Sequence, residues 1–405
     1  MRCDRHGAEN LTMSTPHKTS EGAGPAGIGR SAAAPPIFVD HEQALQELLS
    51  AAHGAPIIGV DTESNSLYAY YHQVCLIQIS LPGADYVVDP LTVDVKPLGA
   101  LFADPACEKI FHAAENDILG LKRDHQFTFA NLFDTMLAAR IMGWPQAGLA
   151  GILAEKFGVT LDKSLQRANW GHRPLEPDLL AYAKLDTHYL LPLRALQDKA
   201  LKECGRWEEA QEAFERISTV EWVDKPFDPN GFWSIAGSRD LSSQELAILQ
   251  ALFLFREDQA RRENRPPFKV LDQHSLVALS HAQPATLNDL GRVRGMTTHQ
   301  VRRYGAGLLD AVKRGRSAPP PVPPKRPDSN GRPDPRTVER YDALRAWRSI
   351  RARQRGVEPD VIFTNDQLMT IARQAPKTIE ALQTLGIMGP WKLGEYGSAI
   401  IQAVA

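Results

Sequence analysis

The chain has 405 residues, 43% hydrophobic and 23% charged, which excludes a wholly disordered, a collagen-like or a disulfide-scaffolded protein. No apolar run approaches a bilayer span, no apolar stretch follows Arg2 and Arg5, and Cys3, Cys75, Cys107 and Cys204 lack CxxC pairing, so a cytoplasmic protein without a membrane segment, secretory signal or zinc site is expected. The net charge of −2 divides into −10 over residues 1–239 and +8 over 240–405, either a cation-handling front with a polyanion-binding tail or two solvated faces of opposite sign.

Residues 1–36, rich in Gly, Ala, Ser and Pro, read as a disordered tail, and the G-x-G-x-x-G match at Gly22–Gly27 within it is compositional, since Pro25 interrupts it and no strand precedes it. From Ile37 the pattern becomes α/β. A helix over 41–53 leads into a buried strand from Pro56 to Asp61. Strands follow at 74–80 and 86–88, then a short one at 109–112 with a helix from about Glu115. A further strand near Phe133 precedes a helix over 136–142, after which the chain becomes mostly helical, with one long helix expected from Pro177 to Cys204. The class is mixed α/β through residue 218, with a helical region behind it.

Residues 219–239 carry Trp222, Phe227, Phe232 and Trp233 and read as an ordered connector. Residues 315–336 hold eight prolines in 22 positions and read as a semi-rigid spacer that permits several arrangements. The flanking segments, 240–314 and 337–405, repeat one another at an offset of 92. Leu276-Val277-Ala278-Leu279 meets Leu368-Met369-Thr370-Ile371, Pro284 meets Pro376, and Tyr304-Gly305 meets Tyr396-Gly397. Two small related all-α domains are predicted.

Three acidic pairs or singles stand out. Asp61 and Glu63, two apart at a strand end, share one face. Asp117 lies one turn into a helix, and Tyr182 and Asp186 are four apart on another. Alone, each is an acidic loop, a first-turn acid or a half-buried helix face. Converged in one crevice, four carboxylates would raise one another's pKa unless a cation sat among them. All-oxygen donors favour hard divalent ions, magnesium or manganese. Two such ions about 4 Å apart activate water and hold a scissile phosphate. Tyr182, a phenol with an ordinary pKa of about 10, would aim that water rather than take its proton.

Val60-Asp61-Thr62-Glu63, Phe111 to Asp117 (FHAAEND) and Tyr182 to Asp186 (YAKLD) resemble the three exonuclease motifs of the DEDD superfamily, in its tyrosine branch. The close resemblance is to the ribonuclease D family. It extends to Leu76–Ile79, Asn131–Thr135 and Lys163–Leu175, although Ala168-Asn169 stand where that family usually has Ser-Asp. The resemblance implies an RNase-H-like exonuclease domain over 37–218, two metals on Asp61, Glu63, Asp117 and Asp186, and Tyr182 orienting the nucleophile. It implies 3′→5′ trimming of RNA to nucleoside 5′-monophosphates, on precursor transfer RNA and other small structured RNA with single-stranded 3′ ends. A DNA 3′→5′ exonuclease would use the same carboxylates, and an RNA-binding protein with a vestigial site is the non-enzymatic alternative.

Around these residues, Asp134 reads as a helix N-cap and Glu115 as a helix-start acid. His112 either touches the terminal nucleotide or is a satisfied structural histidine, and His188 falls outside the motif. Lys163, Gln166 and Arg173 either hold substrate phosphates or form a solvated face. Residues 240–313 resemble the helical domain shared by RecQ-type helicases and ribonuclease D, abbreviated HRDC. Arg261, Arg265, Arg302 and Arg303 are candidate phosphate contacts there, and Arg345, Arg348, Arg351, Arg353 and Arg355 stand in the second copy. No G-K-[ST] occurs, so a nucleotide cofactor is not expected. A monomer is expected.

Overall fold

The computed structural model describes residues 34–323 and 334–405. Cys3, the glycine-rich match, residues 1–33 of the N-terminal tail and residues 324–333 of the proline-rich spacer lie outside them. Two compact units are present. One comprises residues 34–63, 74–222 and 334–405; the other comprises 64–73 and 223–323.

In the first unit, β1 (Ile37–Val39), β2 (Ile57–Ser64), β3 (Val74–Leu81), β4 (Ala84–Val88), β5 (Glu108–Phe111) and β6 (Leu132–Asp134) form one sheet in the order β1-β4-β3-β2-β5-β6. Strand β4 runs parallel to β1 and antiparallel to β3, while β5 is parallel to β2 and β6, so the sheet is mixed. The helices are α1 (Glu42–Ala52), α2 (Leu98–Ala103), α3 (Glu115–His125), α4 (Thr135–Met142), α5 (Leu149–Phe157), α6 (Pro177–His188), α7 (Leu190–Glu203) and α8 (Trp207–Ser218). Every residue of β3 is buried, Gln78 and Ser80 included, because helices cover both faces. The polar positions of that strand therefore do not mark a wet face.

The single helix expected over 177–204 is two. Pro192 has no N–H for the carbonyl of His188 and its ring crowds that carbonyl, so the chain breaks at Tyr189 (φ −95°, ψ 0°) before α7 begins. Where β2 passes beneath this break it carries Gly59. A Cβ there would stand 3.1 Å from the Thr187 carbonyl and 3.2 Å from Leu191, so any larger residue would push strand and helix apart by a few tenths of an ångström. Strand β1 and helix α2 were not predicted; a three-residue strand behind two prolines carries no readable period. Helices α5 and α8 fall in the mostly helical stretch, where the sequence set no bounds for them.

The second unit holds α9 (Ser243–Arg262), α10 (Pro267–Val270), α11 (Gln273–Ala282), α12 (Leu287–Arg292) and α13 (Thr298–Ser317). Phe232, Ile235, Phe227 and Trp233 of the connector pack into its core. In the first unit α14 (Pro335–Arg355), α15 (Pro359–Ile362), α16 (Asn365–Gln374), α17 (Ile379–Gln383) and α18 (Pro390–Val404) repeat that series, each helix starting 92 residues after its counterpart. The equivalence reaches buried arginines. Arg256 donates to the Leu271 carbonyl and Arg348, 92 positions on, donates to that of Phe363. Arg348 is thus a structural group of the second copy and not a surface cation.

That second copy is docked on the sheet domain. Arg355 pairs with Glu209 of α8 (2.9 Å at one contact) and bonds the Tyr396 hydroxyl. Glu212 accepts from the Gly389 and Trp391 N–H groups (3.1 and 2.6 Å) and so caps α18, while Arg140 pairs with Asp360 at 2.5 Å. These contacts fix one arrangement where the spacer alone suggested several.

Candidate active site

A cavity of about 360 Å³ opens in the first unit, lined among others by Asp61, Glu63, His112, Lys163, Gln166, Tyr182 and Asp186. Asp61 and Glu63 leave β2 on one face, as their spacing predicts. Asp117 lies outside the lining, in the first turn of α3, where the Thr62 hydroxyl donates to its Oδ1. Glu115 points to solvent.

The α3 turn is held by Asp134. Its carboxylate accepts from Met136 and Leu137 N–H (2.8 and 3.0 Å) as the cap of α4, and from Ala113 and Ala114 N–H (3.2 and 2.8 Å) on the strand-to-helix turn that delivers Asp117. All its capacity is structural, as its reading as a cap implied. Helix α6 is held from its other face. Thr187 and Ser80 hydroxyls lie 2.7 Å apart, Ser80 reaches Asp85 at 2.6 Å, and His188 Nδ1 bonds Asp85 at 2.8 Å. With those groups turned to the sheet, Tyr182 and Asp186 face the cavity. The Tyr182 ring lies 6.0 Å from that of fully buried Trp170.

The expectation that Arg173 holds substrate phosphate is corrected. Its guanidinium is taken up by Asp89 (2.5 and 2.7 Å) and by the carbonyls of Trp170, His172 and Cys75 (2.7, 2.8 and 2.9 Å). It ties down the Trp170 loop behind Tyr182 and does not line the cavity. Arg261, Arg265, Arg302 and Arg303 belong to the second unit and are not part of this cavity. Arg261 is paired with Glu257 and Arg303 with Glu263, both at 3.0 Å. Asp162 and the residues opening α5, Gly148 to Ala150, line the cavity without having been singled out; the start of α5, had its bounds been set, would have pointed to the latter.

The carboxylates strain against one another. Burial, then the charges of Asp117, Asp186 and Glu63, hold Asp61 well above the usual carboxylate range. Burial followed by Asp186 and Asp117 pushes Glu63 up to about 9. Burial raises Asp117 to about 7 and Asp186 to about 6. Burial and the same carboxylates raise Tyr182, so its phenol stays protonated at any working pH.

His112 is resolved by its partner. The Thr135 hydroxyl spends its one proton on the Phe111 carbonyl (3.0 Å), so at 2.9 Å it must accept from His112 Nδ1. Burial lowers His112 to about 4. The ring is therefore neutral, with Nε2 left as an acceptor.

Among the described residues no three His, Cys, Asp or Glu side chains close round one point as a metal nest. A small hard ion keeps several waters and takes only one or two carboxylates besides substrate oxygens, so an open set of buried, mutually repelling carboxylates fits such ions.

A mixed sheet that gathers acids from a strand end and one helix on a cavity, with Asp117 of a second helix behind Thr62, is the arrangement of a 3′→5′ exonuclease, and the 3'-5' exonuclease family model matches residues 36–201. The HRDC domain model matches 245–312 and 338–404. A ribonuclease D of Jannaschia sp. is 31% identical over 331 residues, covering 78% of this chain and 83% of that one. The ribonuclease D of Gluconacetobacter diazotrophicus is 28% identical over 353 residues, 86% of this chain and 89% of that one. The catalytic core of RRP6 from Trypanosoma brucei superposes with a TM-score of 0.63 at 27% identity, over 70% of this chain and 80% of that one. Escherichia coli RNase D shares the fold, with a TM-score of 0.59 at 23% identity over 91% of this chain and 98% of that one. The chain belongs to the ribonuclease D family and is an exoribonuclease.

Proposed function

We propose that the protein trims RNA from single-stranded 3′ ends by metal-dependent hydrolysis, releasing nucleoside 5′-monophosphates, with precursor transfer RNA and other small structured RNA as substrates. The observation that carries this reading is the gathering of Asp61, Glu63, Asp186 and Tyr182 on one cavity, with Asp117 behind Thr62. The four carboxylates would hold two divalent ions, magnesium or manganese, which when bound supply a hydroxide-like nucleophile and charge stabilisation at the phosphate. Tyr182, kept protonated, positions the attacking water through its hydroxyl oxygen and proton. Lys163 and Gln166 lie on the cavity wall where a phosphate backbone would pass. The test uses a 5′-labelled RNA hairpin with a short 3′ tail and its DNA counterpart, in magnesium, manganese or EDTA. A ladder shrinking from the 3′ end on RNA, absent in EDTA, is expected. Equal trimming of DNA would make it a general exonuclease, and binding without shortening would make the site vestigial.

His112 assigns the sugar selectivity in this reading. A neutral imidazole with a free acceptor nitrogen suits a ribose hydroxyl, which donates, and not a phosphate, which cannot. His112→Ala is expected to lower the ratio of RNA to DNA trimming by about tenfold, the worth of one unmade hydrogen bond in a polar site. Single-turnover rates on the paired substrates measure it; an unchanged ratio would return His112 to a purely structural role.

A further inference from the structure

The second unit places unusual side chains in water. Tyr71 is 64% exposed and Phe268 53%, although the same unit has a filled core. They come from different parts of the chain. Tyr71 sits on the 64–73 excursion that follows Glu63 in sequence, and Phe268 on α10.

The excursion is a built loop. Its ends are joined by Asn65 N–H to the Gln73 carbonyl (3.3 Å) and Gln73 N–H to Asn65 Oδ1 (2.8 Å). Tyr70 is turned inward, its hydroxyl on Glu257 and its ring 5.8 Å from the Arg261 guanidinium. Tyr71 is turned outward, with its N–H donating to Asn264 Oδ1 at 2.9 Å and its ring set edge-on to Tyr70, 4.9 Å between centres. Asn264 stands in the left-handed turn (φ 46°) leading from α9 to α10. From that turn come Arg265, Phe268 and Lys269, and the Lys269 ammonium lies 3.5 Å over the Tyr68 ring.

Charge is left unbalanced here. Glu257 is engaged by Tyr70 and Arg261, and Glu263 by Arg303 and Tyr304, with Arg265 only at 3.8 Å. Lys269 is lowered by burial and then by the Arg265 charge, the mark of two cations crowded together. A polyanion with flat bases satisfies both features at once, since phosphate relieves the cations and bases stack on the rings.

We propose that Tyr71 and Phe268, with Arg265 and Lys269 beside them, form a single-stranded RNA platform on which bases stack and phosphates are held. This rests on the reading that the chain's polymer substrate is RNA.

The test is fluorescence anisotropy of a labelled oligouridylate of about twenty nucleotides with the full chain in EDTA. The double variant Tyr71→Ala/Phe268→Ala is expected to bind about tenfold more weakly or worse, with the salt dependence kept, because stacking releases no ions. Lys269→Ala is expected to reduce the slope of log affinity against log salt by about 0.7. Thermal melts confirm that the variants fold, and Leu254→Ala, an exposed apolar residue of α9, serves as a control expected to bind normally. Wild-type affinity in the double variant, or no binding by the wild type, would overturn the platform. Failure of the nuclease reading looks different: Asp61→Asn would trim like wild type while these binding differences persisted.

Discussion

Asp61→Asn is expected to slow RNA trimming by about 10³-fold or more, the loss of roughly 4 kcal/mol of charge stabilisation at the phosphate. The same substitution is expected to raise the melting temperature in EDTA. Four carboxylates share the site, and Glu63, Asp117 and Asp186 are pushed up to about 9, 7 and 6. Their values in the unfolded chain are about 4. The folded, metal-free protein therefore holds protons that the unfolded chain releases, so these groups cost nothing below about pH 4 and progressively destabilise the fold as pH rises toward 9. Removing one charge relieves part of that cost. Asp61 lines the open cavity and is not wholly cut off from solvent, so screening limits the gain to about 1 kcal/mol, or roughly 2–4 °C. On the proposed reading the ionised carboxylates hold magnesium, so the ion should flatten the fall in melting temperature with pH and stabilise more at high pH than at low. Melting curves at several pH values, with EDTA and with magnesium, measure all of this. A pH-independent melting temperature in EDTA, unchanged in the variant, would show that the carboxylates do not share one electrostatic field.

The site was legible because its chemistry is local in sequence. Asp61 and Glu63 on a strand, and Tyr182 and Asp186 one helical turn apart, declare their common faces by spacing alone. The helical repeat was legible for a similar reason: apolar residues at helical period recur 92 positions on, and each helix of α14–α18 starts where that offset places it. Arginines were not legible in this way. Arg173 meets Asp89, 84 residues earlier, and Arg355 meets Glu209, 146 residues earlier. Nothing in their own segments separates them from solvated cations, because partnership of this kind exists only after the chain has folded. His112 is a middle case. Its position at a strand end was plain, but its role as an acceptor depends on where the Thr135 proton goes.

Glu209→Ala is expected to be the most destabilising single change outside the apolar cores, at about 3 kcal/mol, because it leaves a largely buried guanidinium without its counter-charge. Glu209 is 1% exposed and Arg355 lies against it, the Tyr396 hydroxyl and the Trp391 ring, 5.7 Å away. The repeat explains why this pair exists. Position 355 corresponds to 263, where the first copy carries Glu263 bonded to the hydroxyl of Tyr304, the counterpart of Tyr396. Reversing the charge at that one position keeps the tyrosine contact and adds an outward ion pair, so an internal brace becomes a dock on α8. Glu212 reinforces the dock by capping α18, and Arg206 by donating to the Arg355 carbonyl at 2.7 Å. Two consequences separate this from general damage. In Glu209→Ala, residues 334–405 should become the preferred site of limited proteolysis, while residues 240–314 keep their resistance. Adding Arg355→Met to Glu209→Ala should recover part of the lost stability, since the stranded charge is gone and its packing volume is kept. Urea unfolding of the single and double variants reads the coupling. Wild-type stability in Glu209→Ala would mean that the second helical copy is held by its apolar contacts alone.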